Sequence, residues 1–348
     1  MKQPVEPHIL LMGPGTDHPF ADLLPVGGAT RSFKTLMEYM HREGVEIQLG
    51  NTQEFRGQPL KNFWERCWQA VFSCFSTNII FLNASLRGIT TLGPALYIIA
   101  RLTGSKIVIR PFGGAFDQQY RTSNPVVQWL LRNTVLKADI LFLQTERLMQ
   151  FFQPLAKNAI QLATSRPDVL EKASANTKPY QKRFVFVGMM TEAKGVWTLH
   201  EASKQLDDSY TVHMYGPPID ELKEELVTTH YQGVLKPEAV QQKLQEYDVL
   251  VLPTHYQGEG YPGVIIEAYS MGLPVIASDW KSIPELVEHG VTGLLVPPQD
   301  ATALANAMKA MNEETHGQLS QSARQHFLEH YESERVLGQM LQQLRDLL

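Results

Sequence analysis

Short apolar runs alternate with longer amphipathic stretches along most of the chain. The first half holds five runs of strand length: HILLMG (8–13), VEIQLG (45–50), NIIFLN (78–83), KIVIRP (106–111) and ADILFLQ (138–144). Helical patterns such as ATRSFKTLMEYMHREG and TTLGPALYIIARLTG lie between them. Because buried parallel strands have nearly continuous apolar sequences, this alternation predicts a parallel sheet covered by helices on both faces.

The alternation lapses over RPDVLEKASANTKPYQK (166–182), a polar stretch with two prolines that predicts a linker. It resumes with RFVFVG (183–188), YTVHMYG (210–216), DVLVLPT (248–254) and LPVIAS (273–278). We therefore expect an α/β protein with two doubly wound, Rossmann-like domains, residues 1–165 and 183–325. A C-terminal helix over 326–348 is expected to pack back on the first domain. Ligands of such sheets lie beyond the carboxyl ends of the strands, so two facing domains would hold a site in the cleft between them.

Composition narrows the class of protein. The 348 residues are 43% hydrophobic and 19% charged, as in ordinary globular proteins, and the net charge of -5 gives no case for nucleic-acid binding. The two cysteines, Cys67 and Cys74, are interpreted as buried thiols of a reducing compartment. No apolar run is long enough to span a bilayer, and no signal peptide is evident. The sequence predicts a cytoplasmic protein.

Two loops at predicted strand ends offer groups that suit an anion. Gly27 and Gly28 precede the first helix, where backbone N–H groups can approach a phosphate, although a plain tight turn explains the pair equally well. They form no dinucleotide fingerprint, because no G-x-G-x-x-G opens that helix. Lys194, before Gly195, can reach a phosphate as a point charge, whereas most exposed loop lysines are only solvated.

The stretch GEGYPGVIIE (258–267) is more specific. It follows the strand DVLVLPT, and Pro262 suits the first turn of a helix. The free N–H groups at the start of that helix would seat an anion, and they belong to Gly263, Val264 and Ile265. Two glutamates bracket this seat, Glu259 and Glu267, and carboxylates there suit hydroxyl donors such as those of sugar and ribose. The alternative is a capping Glu259 and an exposed Glu267, although the neighbours of Glu267 are strongly apolar.

These residues resemble those of a known family. Lys194-Gly195 and the block HYQGEGYPGVIIEAYSMGLPVIASDWKSIPELVEHGVTGLLVPPQD look like the C-terminal signature of retaining glycosyltransferases of the GT-B fold, glycosyltransferase family four or "glycosyl transferases group 1". The resemblance covers the whole chain in order, because Gly27-Gly28 matches the N-terminal glycine loop of that family. It implies that residues 1–165 face the acceptor and residues 183–325 bind a nucleotide sugar.

The resemblance also implies roles for individual residues. Glu259 would bind hydroxyls of the donor sugar, Glu267 would hold the ribose, and Lys194 would neutralise the diphosphate. Backbone groups would contribute as well: Gly263, Val264 and Ile265 at the distal phosphate, Gly27 and Gly28 near the same phosphates, and Gly216 and Leu235, at two strand ends, in the base pocket. No metal or other cofactor is expected, because Lys194 and the helix terminus would neutralise the leaving group.

The chain departs from the family pattern at two places. Met189 stands where the family commonly has an arginine that contacts the diphosphate, and Arg31 and Arg110 are candidates to replace it. Phe112 and the glycines after it stand where a histidine is frequent, with Arg110 and Asp117 as the nearest ionisable groups. Asp117 would orient the acceptor or, as we favour, cap the next helix. His255 is interpreted as a loop histidine.

The expected function is transfer of a sugar, with retention of configuration, from a nucleotide-diphosphate sugar to a glycan or lipid-linked glycan acceptor in cell-surface polysaccharide or glycolipid synthesis. UDP and GDP are not distinguished. The alternatives are a non-catalytic, nucleotide-sugar-binding subunit of a transferase complex and a GT-B nucleotide-sugar epimerase. The aromatic stretch 62–78 and six loosely clustered basic residues of the first domain are compatible with peripheral contact at the cytosolic face of a membrane, although a buried helix explains the aromatic residues as well.

Overall fold

In the computed structural model of the protein, the described residues are 6–13, 28–51, 76–170, 179–218 and 230–348. The chain divides into two compact units. The first unit comprises residues 1–163 and 334–348, and the second comprises residues 164–333. Each unit is built around one parallel sheet.

The first unit holds a six-stranded sheet in the order β2-β1-β3-β4-β5-β6. Its strands are β1 (His8–Gly13), β2 (Glu46–Asn51), β3 (Ile79–Ser85), β4 (Lys106–Phe112), β5 (Ile140–Leu143) and β6 (Ala159–Gln161). All neighbouring strands pair in parallel, which confirms the predicted sheet. Strand β6 was not predicted, because three half-exposed residues are too few for an apolar run to mark them.

Helices cover both faces of this sheet. The described helices before the second unit are α1 (Gly28–Arg42), α2 (Leu86–Thr103), α3 (Phe116–Thr122), α4 (Pro125–Asn133) and α5 (Glu146–Phe152). Helix α4 begins where the sequence directs it, because the Asn124 side chain accepts a hydrogen bond from the Val127 N–H at 2.9 Å and Pro125 occupies the first helical position. Helices α2 to α5 pack in one core with β3 and β4, and α1 packs in a second core with β1.

The second unit holds a five-stranded parallel sheet in the order β11-β10-β9-β7-β8. Its strands are β7 (Arg183–Val187), β8 (Thr211–Tyr215), β9 (Val249–Leu252), β10 (Val275–Ser278) and β11 (Gly293–Val296). The first four coincide with predicted apolar runs. The chain continues from β7 to β8 in one direction and from β9 to β11 in the other, so the strand order reverses between β7 and β9.

The described helices of the second unit are α6 (Val196–Ser203), α7 (Val240–Leu244), α8 (Gly263–Ser270), α9 (Ala301–Ala310) and α10 (Glu313–His330). Helix α6 packs with α9, and α8 packs with α7 and α10. Parallel crossovers are right-handed, so α6 and α8, which leave the reversal point in opposite directions, cover opposite faces of the sheet.

The chain ends with α11 (Ser333–Arg345), which belongs to the first unit from residue 334 onward. Its apolar face lies in the core of β1 and α1, and that face comprises Val336, Leu337, Met340, Leu341 and Leu344. The sequence placed the start of this tail at residue 326. Phe327 is fully buried within the second unit instead, because α10 continues to His330.

The boundary between the units also differs from the expected linker over 166–182. The second unit begins at Thr164, and Arg166 is buried in it. The stretch has the polarity of a linker, but Arg166 and Asp168 form ion pairs inside the unit, a kind of contact that a hydropathy pattern does not register.

Buried and partly buried histidines predict that the second unit loses stability in acid. Burial lowers the pKa of four of its histidines: His213, His230, His316 and His326. A histidine whose folded-state pKa is below the unfolded value is protonated first in the unfolded chain. Its stabilising contribution is therefore complete above about pH 6.5 and declines as the pH falls below that value.

We expect the urea midpoint to decrease between about pH 7.5 and pH 5.5. His316→Gln should flatten this dependence, and an unchanged midpoint of the unmodified protein across this range would contradict the account.

Candidate functional site

The candidate site lies at the carboxyl ends of β7 and β9, where the strand order of the second sheet reverses. In open α/β sheets the loops that leave such a point diverge to opposite faces and form a ligand-binding crevice. Lys194 lies in the loop after β7, and Glu259 lies in the loop after β9. Two of the residues selected from sequence therefore occupy the place where the topology favours a ligand.

The two loops are joined by backbone contacts. The Ala193 carbonyl accepts hydrogen bonds from the His255 N–H at 2.8 Å and from the Thr254 hydroxyl at 3.2 Å. Gly195, with φ of +80°, lies so close to Pro253 that a Cβ on it would be 2.0 Å from the Pro253 carbonyl oxygen. Only glycine permits both this φ and this approach. The close approach fixes Lys194 beside the loop that carries Glu259.

Lys194 and Glu259 form a direct ion pair. The Lys194 Nζ lies 2.7 Å from Glu259 Oε2 and 3.0 Å from Oε1, and the Thr254 hydroxyl donates to Oε2 at 2.8 Å. Glu259 is 6% exposed, and the Tyr256 ring centroid lies 5.0 Å from the Lys194 Nζ. The ammonium has three N–H donors, so one remains for another acceptor when two point at the carboxylate. The sequence analysis predicted that these two residues contact different groups of the ligand. It did not predict that they contact each other.

The start of α8 differs in one respect from the expected anion seat. Pro262 precedes the helix without a side-chain cap, so Glu259 does not cap it. The Ile265 N–H donates to the Pro262 carbonyl at 3.1 Å and is therefore not free, which corrects the prediction of three free groups. The first turn is tight, so the third N–H is used within it. Within the described part of the chain, the N–H groups of Gly263 and Val264 have no backbone acceptor.

Glu267 is buried on α8 and pairs with an arginine that the sequence analysis did not select. The Arg166 Nε donates to Glu267 Oε1 at 2.6 Å, and the two residues are 1% and 5% exposed. A Cβ on Gly263 would be 2.1 Å from Arg166 Nη2, so the guanidinium lies against the first residue of α8. Glu267 is thus neither an exposed acid nor an isolated buried one.

Further contacts hold the Arg166 segment in place. The Arg166 N–H donates to the Tyr331 carbonyl and its own carbonyl accepts from the Ser333 N–H, each at 3.0 Å. Asp168 accepts from Arg324 Nη2 at 2.7 Å. These partners lie at or after α10, which itself packs against α8. The segment is therefore fixed on both sides, and Arg166 is held at a defined position beneath the start of α8.

Of the two residues expected at the base pocket, one lies at a strand end. Gly216 follows β8, and a Cβ on it would be 1.7 Å from the Gly188 carbonyl oxygen. Its own carbonyl accepts from the Tyr231 hydroxyl at 3.1 Å, and burial raises the pKa of that tyrosine. Leu235 is not at a strand end, which corrects the prediction: Tyr231, which precedes it, forms an isolated bridge with Met214 of β8. Val234 and Leu235, the two apolar residues before Lys236 and Pro237, are too few to form a strand.

The remaining candidates belong to the first unit. Gly28 is the first residue of α1, whereas Gly27 and most of the aromatic stretch 62–78 lie outside the described residues. Arg110 is buried at the end of β4 and donates to the Ala163 carbonyl at 3.4 Å. Asp117 accepts from Arg147 Nη1 at 2.5 Å. It does not cap α3, because Ala115 is the N-cap residue and no side chain caps that helix.

Arg166 is the residue that sequence reasoning missed. Met189 is 41% exposed in the loop after β7, and the two arginines expected to replace the missing diphosphate contact, Arg31 and Arg110, both lie in the first unit. The available signal was an arginine directly before Pro167, at the edge of an expected linker. A charge there is ordinarily solvated, so the pattern alone gave no reason to place it beside Glu267.

Comparisons with known proteins relate this chain to glycosyltransferases. Residues 181–314 match the family model of glycosyl transferases group 1. The amylovoran biosynthesis glycosyltransferase AmsK of Erwinia amylovora is 34% identical over 146 residues, which cover 38% of this chain and 36% of AmsK. The putative colanic acid biosynthesis glycosyltransferase WcaL of Escherichia coli K12 is 27% identical over 299 residues, which cover 75% of this chain and 72% of WcaL. The chain thus spans little more than a third of AmsK.

A solved structure extends the likeness to both units. HepE of Anabaena, in complex with UDP and glucose, superposes with a TM-score of 0.74 at 15% identity, over 97% of this chain and 99% of HepE. Identity this low shows the fold alone. The chain therefore has the GT-B fold, and its residues 181–314 are similar to the glycosyl transferases of group 1.

Proposed function

We infer that this protein is a glycosyltransferase that moves a sugar from a nucleotide-diphosphate sugar to an acceptor hydroxyl. One observation carries the proposal: two carboxylate–cation pairs flank the start of α8 where the second sheet reverses. A diphosphate needs cations and N–H donors, and sugar hydroxyls need carboxylate acceptors. This place in the fold offers both within two adjoining loops and one helix.

Lys194 and Glu259 are proposed to contact two different groups at the reacting end of the donor. The remaining donor of Lys194 reaches the diphosphate, while Glu259 accepts hydrogen bonds from donor-sugar hydroxyls. Because the two side chains contact each other, the ammonium also holds the carboxylate in place. Charge that develops on the leaving diphosphate is stabilised by Lys194 and by the N–H groups of Gly263 and Val264. These groups require no metal ion for that task, so we expect metal-independent turnover.

Glu267 and Arg166 serve the nucleoside end. One carboxylate oxygen of Glu267 accepts from Arg166, and the ribose hydroxyls are proposed as donors to the same carboxylate. Arg166 is a positioning residue, because it is almost completely buried and acts through Glu267. Retention of configuration is proposed from the resemblance of the Glu259 and Glu267 block to retaining enzymes.

The relatives suggest the biological class of acceptor. AmsK and WcaL are named for the biosynthesis of amylovoran and colanic acid, and HepE was solved with UDP and glucose. We propose that this chain likewise extends a cell-surface glycan or lipid-linked glycan. UDP-sugars are the first donors to try, with GDP-sugars beside them.

The test is a donor screen followed by product analysis. A ligand that binds the native state raises the melting temperature, so the donor should stand out among UDP- and GDP-sugars. Incubation of that donor with lipid-linked glycans should give a product whose anomeric configuration, determined by NMR, equals that of the donor, and EDTA should leave the rate unchanged. If a nucleotide sugar binds tightly without hydrolysis or transfer to any acceptor, the protein is a binding subunit and the proposal is wrong.

A further inference from the structure

A pocket at the outer end of the second sheet has no role in the candidate site. It opens beside the carboxyl ends of β10 and β11. Its volume is about 420 Å³, which lies within the range of about 300–1,000 Å³ that small-molecule sites occupy. This pocket, here the β10–β11 pocket, is lined by Asp279, His289, Leu295, Val296, Pro297 and Pro298.

The local sequence holds the walls of the pocket in place. Strand β11 ends at Val296, because Pro297 has no N–H group with which to continue the ladder. The Asp279 N–H donates to the Val296 carbonyl at 2.8 Å, which joins the two strand ends. Strand β11 is the edge strand, and the Leu295 N–H donates to His289 Nδ1 at 3.0 Å. The positions of both polar residues are therefore set without a ligand.

The pocket offers one acceptor and one donor to a ligand. Asp279 is exposed, and among the described residues its carboxylate has no hydrogen bond or ion pair. His289 Nδ1 accepts the Leu295 N–H, so the neutral imidazole carries its proton on Nε2, which is a donor. The remaining lining residues are aliphatic or proline. A carboxylate and an N–H group thus lie beside apolar walls.

This combination suits a sugar ring better than other small ligands. Sugar hydroxyls donate and accept, so they satisfy both Asp279 and His289, while the C–H groups of the ring pack against the prolines. Asp279 would repel an anion. A metal ion needs more ligands, and the described residues hold no group of three His, Cys, Asp or Glu side chains placed to bind one. A nucleobase would find no aromatic ring among the lining residues.

The pocket is close to the candidate site of the same unit. Trp280, which follows Asp279, donates its indole N–H to the Tyr256 carbonyl at 2.8 Å, and the Tyr256 ring centroid lies 5.0 Å from the Lys194 Nζ. All strands of this sheet are parallel, so both places lie at the same edge of it. Two strand spacings, roughly 10 Å, separate the β7–β9 gap from the β10–β11 gap. An extended oligosaccharide is long enough to reach from one to the other.

We propose that the β10–β11 pocket binds a sugar ring of the glycan acceptor, at a distance from the hydroxyl that reacts. The family resemblance assigns the acceptor to residues 1–165, so this contact adds an acceptor subsite to the nucleotide-binding unit. For the source of the sugar, the proposal rests on the proposed function. It makes Asp279 a specificity-determining residue that favours long acceptors over short ones.

The pocket is tested by titration of the full chain, saturated with UDP, with maltotriose, galactotriose and mannotriose. We expect at least one trisaccharide to bind, and Asp279→Asn to weaken that binding about tenfold or more, because the carboxylate acceptor is lost. Asp208→Asn is the matched control, at an exposed aspartate before the amino end of β8, and should bind as the unmodified protein does. A loss in Glu259→Gln that Asp279→Asn does not show would place the saccharide at the donor site and overturn the proposal.

The source of the sugar is tested by kinetics with a short and a long form of one acceptor. Asp279→Asn should raise the KM of the long acceptor about tenfold and leave the KM of the short acceptor and of the donor unchanged. Binding of none of the trisaccharides, equal binding by the two aspartate variants, or equal KM changes for both acceptors would overturn the proposal while the proposed function stands. Trisaccharide binding without transfer to any acceptor would overturn the proposed function, and with it the source of the sugar but not the pocket.

Discussion

Glu259→Gln is expected to lower turnover by about 10- to 150-fold while affinity for the free nucleoside diphosphate stays within about threefold, since a hydrogen bond to a charged group contributes about 1.5–3 kcal/mol. The substitution keeps the shape of the side chain but removes the charge that Lys194 and donor-sugar hydroxyls contact. Lys194 retains its charge for the diphosphate. The loss should therefore fall on the step in which the sugar is held and transferred.

The measurement is steady-state turnover together with equilibrium titration of nucleoside diphosphate. Glu246→Gln is the matched control, because Glu246 is an exposed glutamate of the same unit, paired with Lys243 at 2.8 Å, and it lies away from the reversal point. Equal turnover in the two variants would remove Glu259 from the reacting end of the donor. An equal loss of nucleotide affinity and turnover would indicate that Glu259 contacts the nucleotide and not the donor sugar.

Arg166→Met is expected to destabilise the second unit by about 3–5 kcal/mol, because it leaves the buried Glu267 carboxylate without its partner. The double variant Arg166→Met with Glu267→Leu should recover most of that loss, since no buried charge remains. Gly263→Ala should also destabilise, because its Cβ would displace the Arg166 guanidinium from its place against α8. The quantity to measure is the free energy of unfolding in urea, followed by circular dichroism.

An exposed ion pair provides the comparison. Lys243→Met breaks the pair with Glu246 at the surface and should cost less than about 1 kcal/mol. If Arg166→Met costs no more than this, the buried pair does not hold α8.

The role of Glu267 is tested separately by ligand binding. Glu267→Gln should weaken binding of UDP but not of pyrophosphate, which has no ribose. Equal weakening of both ligands would contradict the ribose assignment.

The architecture followed from sequence because its strands are buried on both faces. Runs such as HILLMG and DVLVLPT have no polar interruptions, and each became a strand within about two residues of the expected bounds. Strand β6 was not predicted, because its three residues are too few to show a pattern of apolar positions. The start of the C-terminal tail was misplaced because α10 and α11 are separated by only two residues.

The places of the candidate residues in the fold could be predicted from sequence, whereas their contacts with each other could not. The positions of Lys194, Glu259 and Glu267 followed from strand ends and from the family block, which are local signals. The Lys194–Glu259 pair joins residues 65 positions apart, and the Arg166–Glu267 pair joins residues 101 positions apart. Contacts over such separations depend on the order of strands in the sheet. No local pattern reports that order, and Arg166 was missed for this reason.

The most direct test of the central claim, that Lys194 and the start of α8 hold a nucleoside diphosphate, is calorimetric titration of UDP, GDP and the matching monophosphates. We predict that one diphosphate binds the unmodified protein clearly more tightly than its monophosphate, and that Lys194→Met abolishes this preference. Lys204→Met, at an exposed lysine of the same unit, should retain it. Equal affinity for the diphosphate and the monophosphate in the unmodified protein, or an undiminished preference in Lys194→Met, would contradict the account.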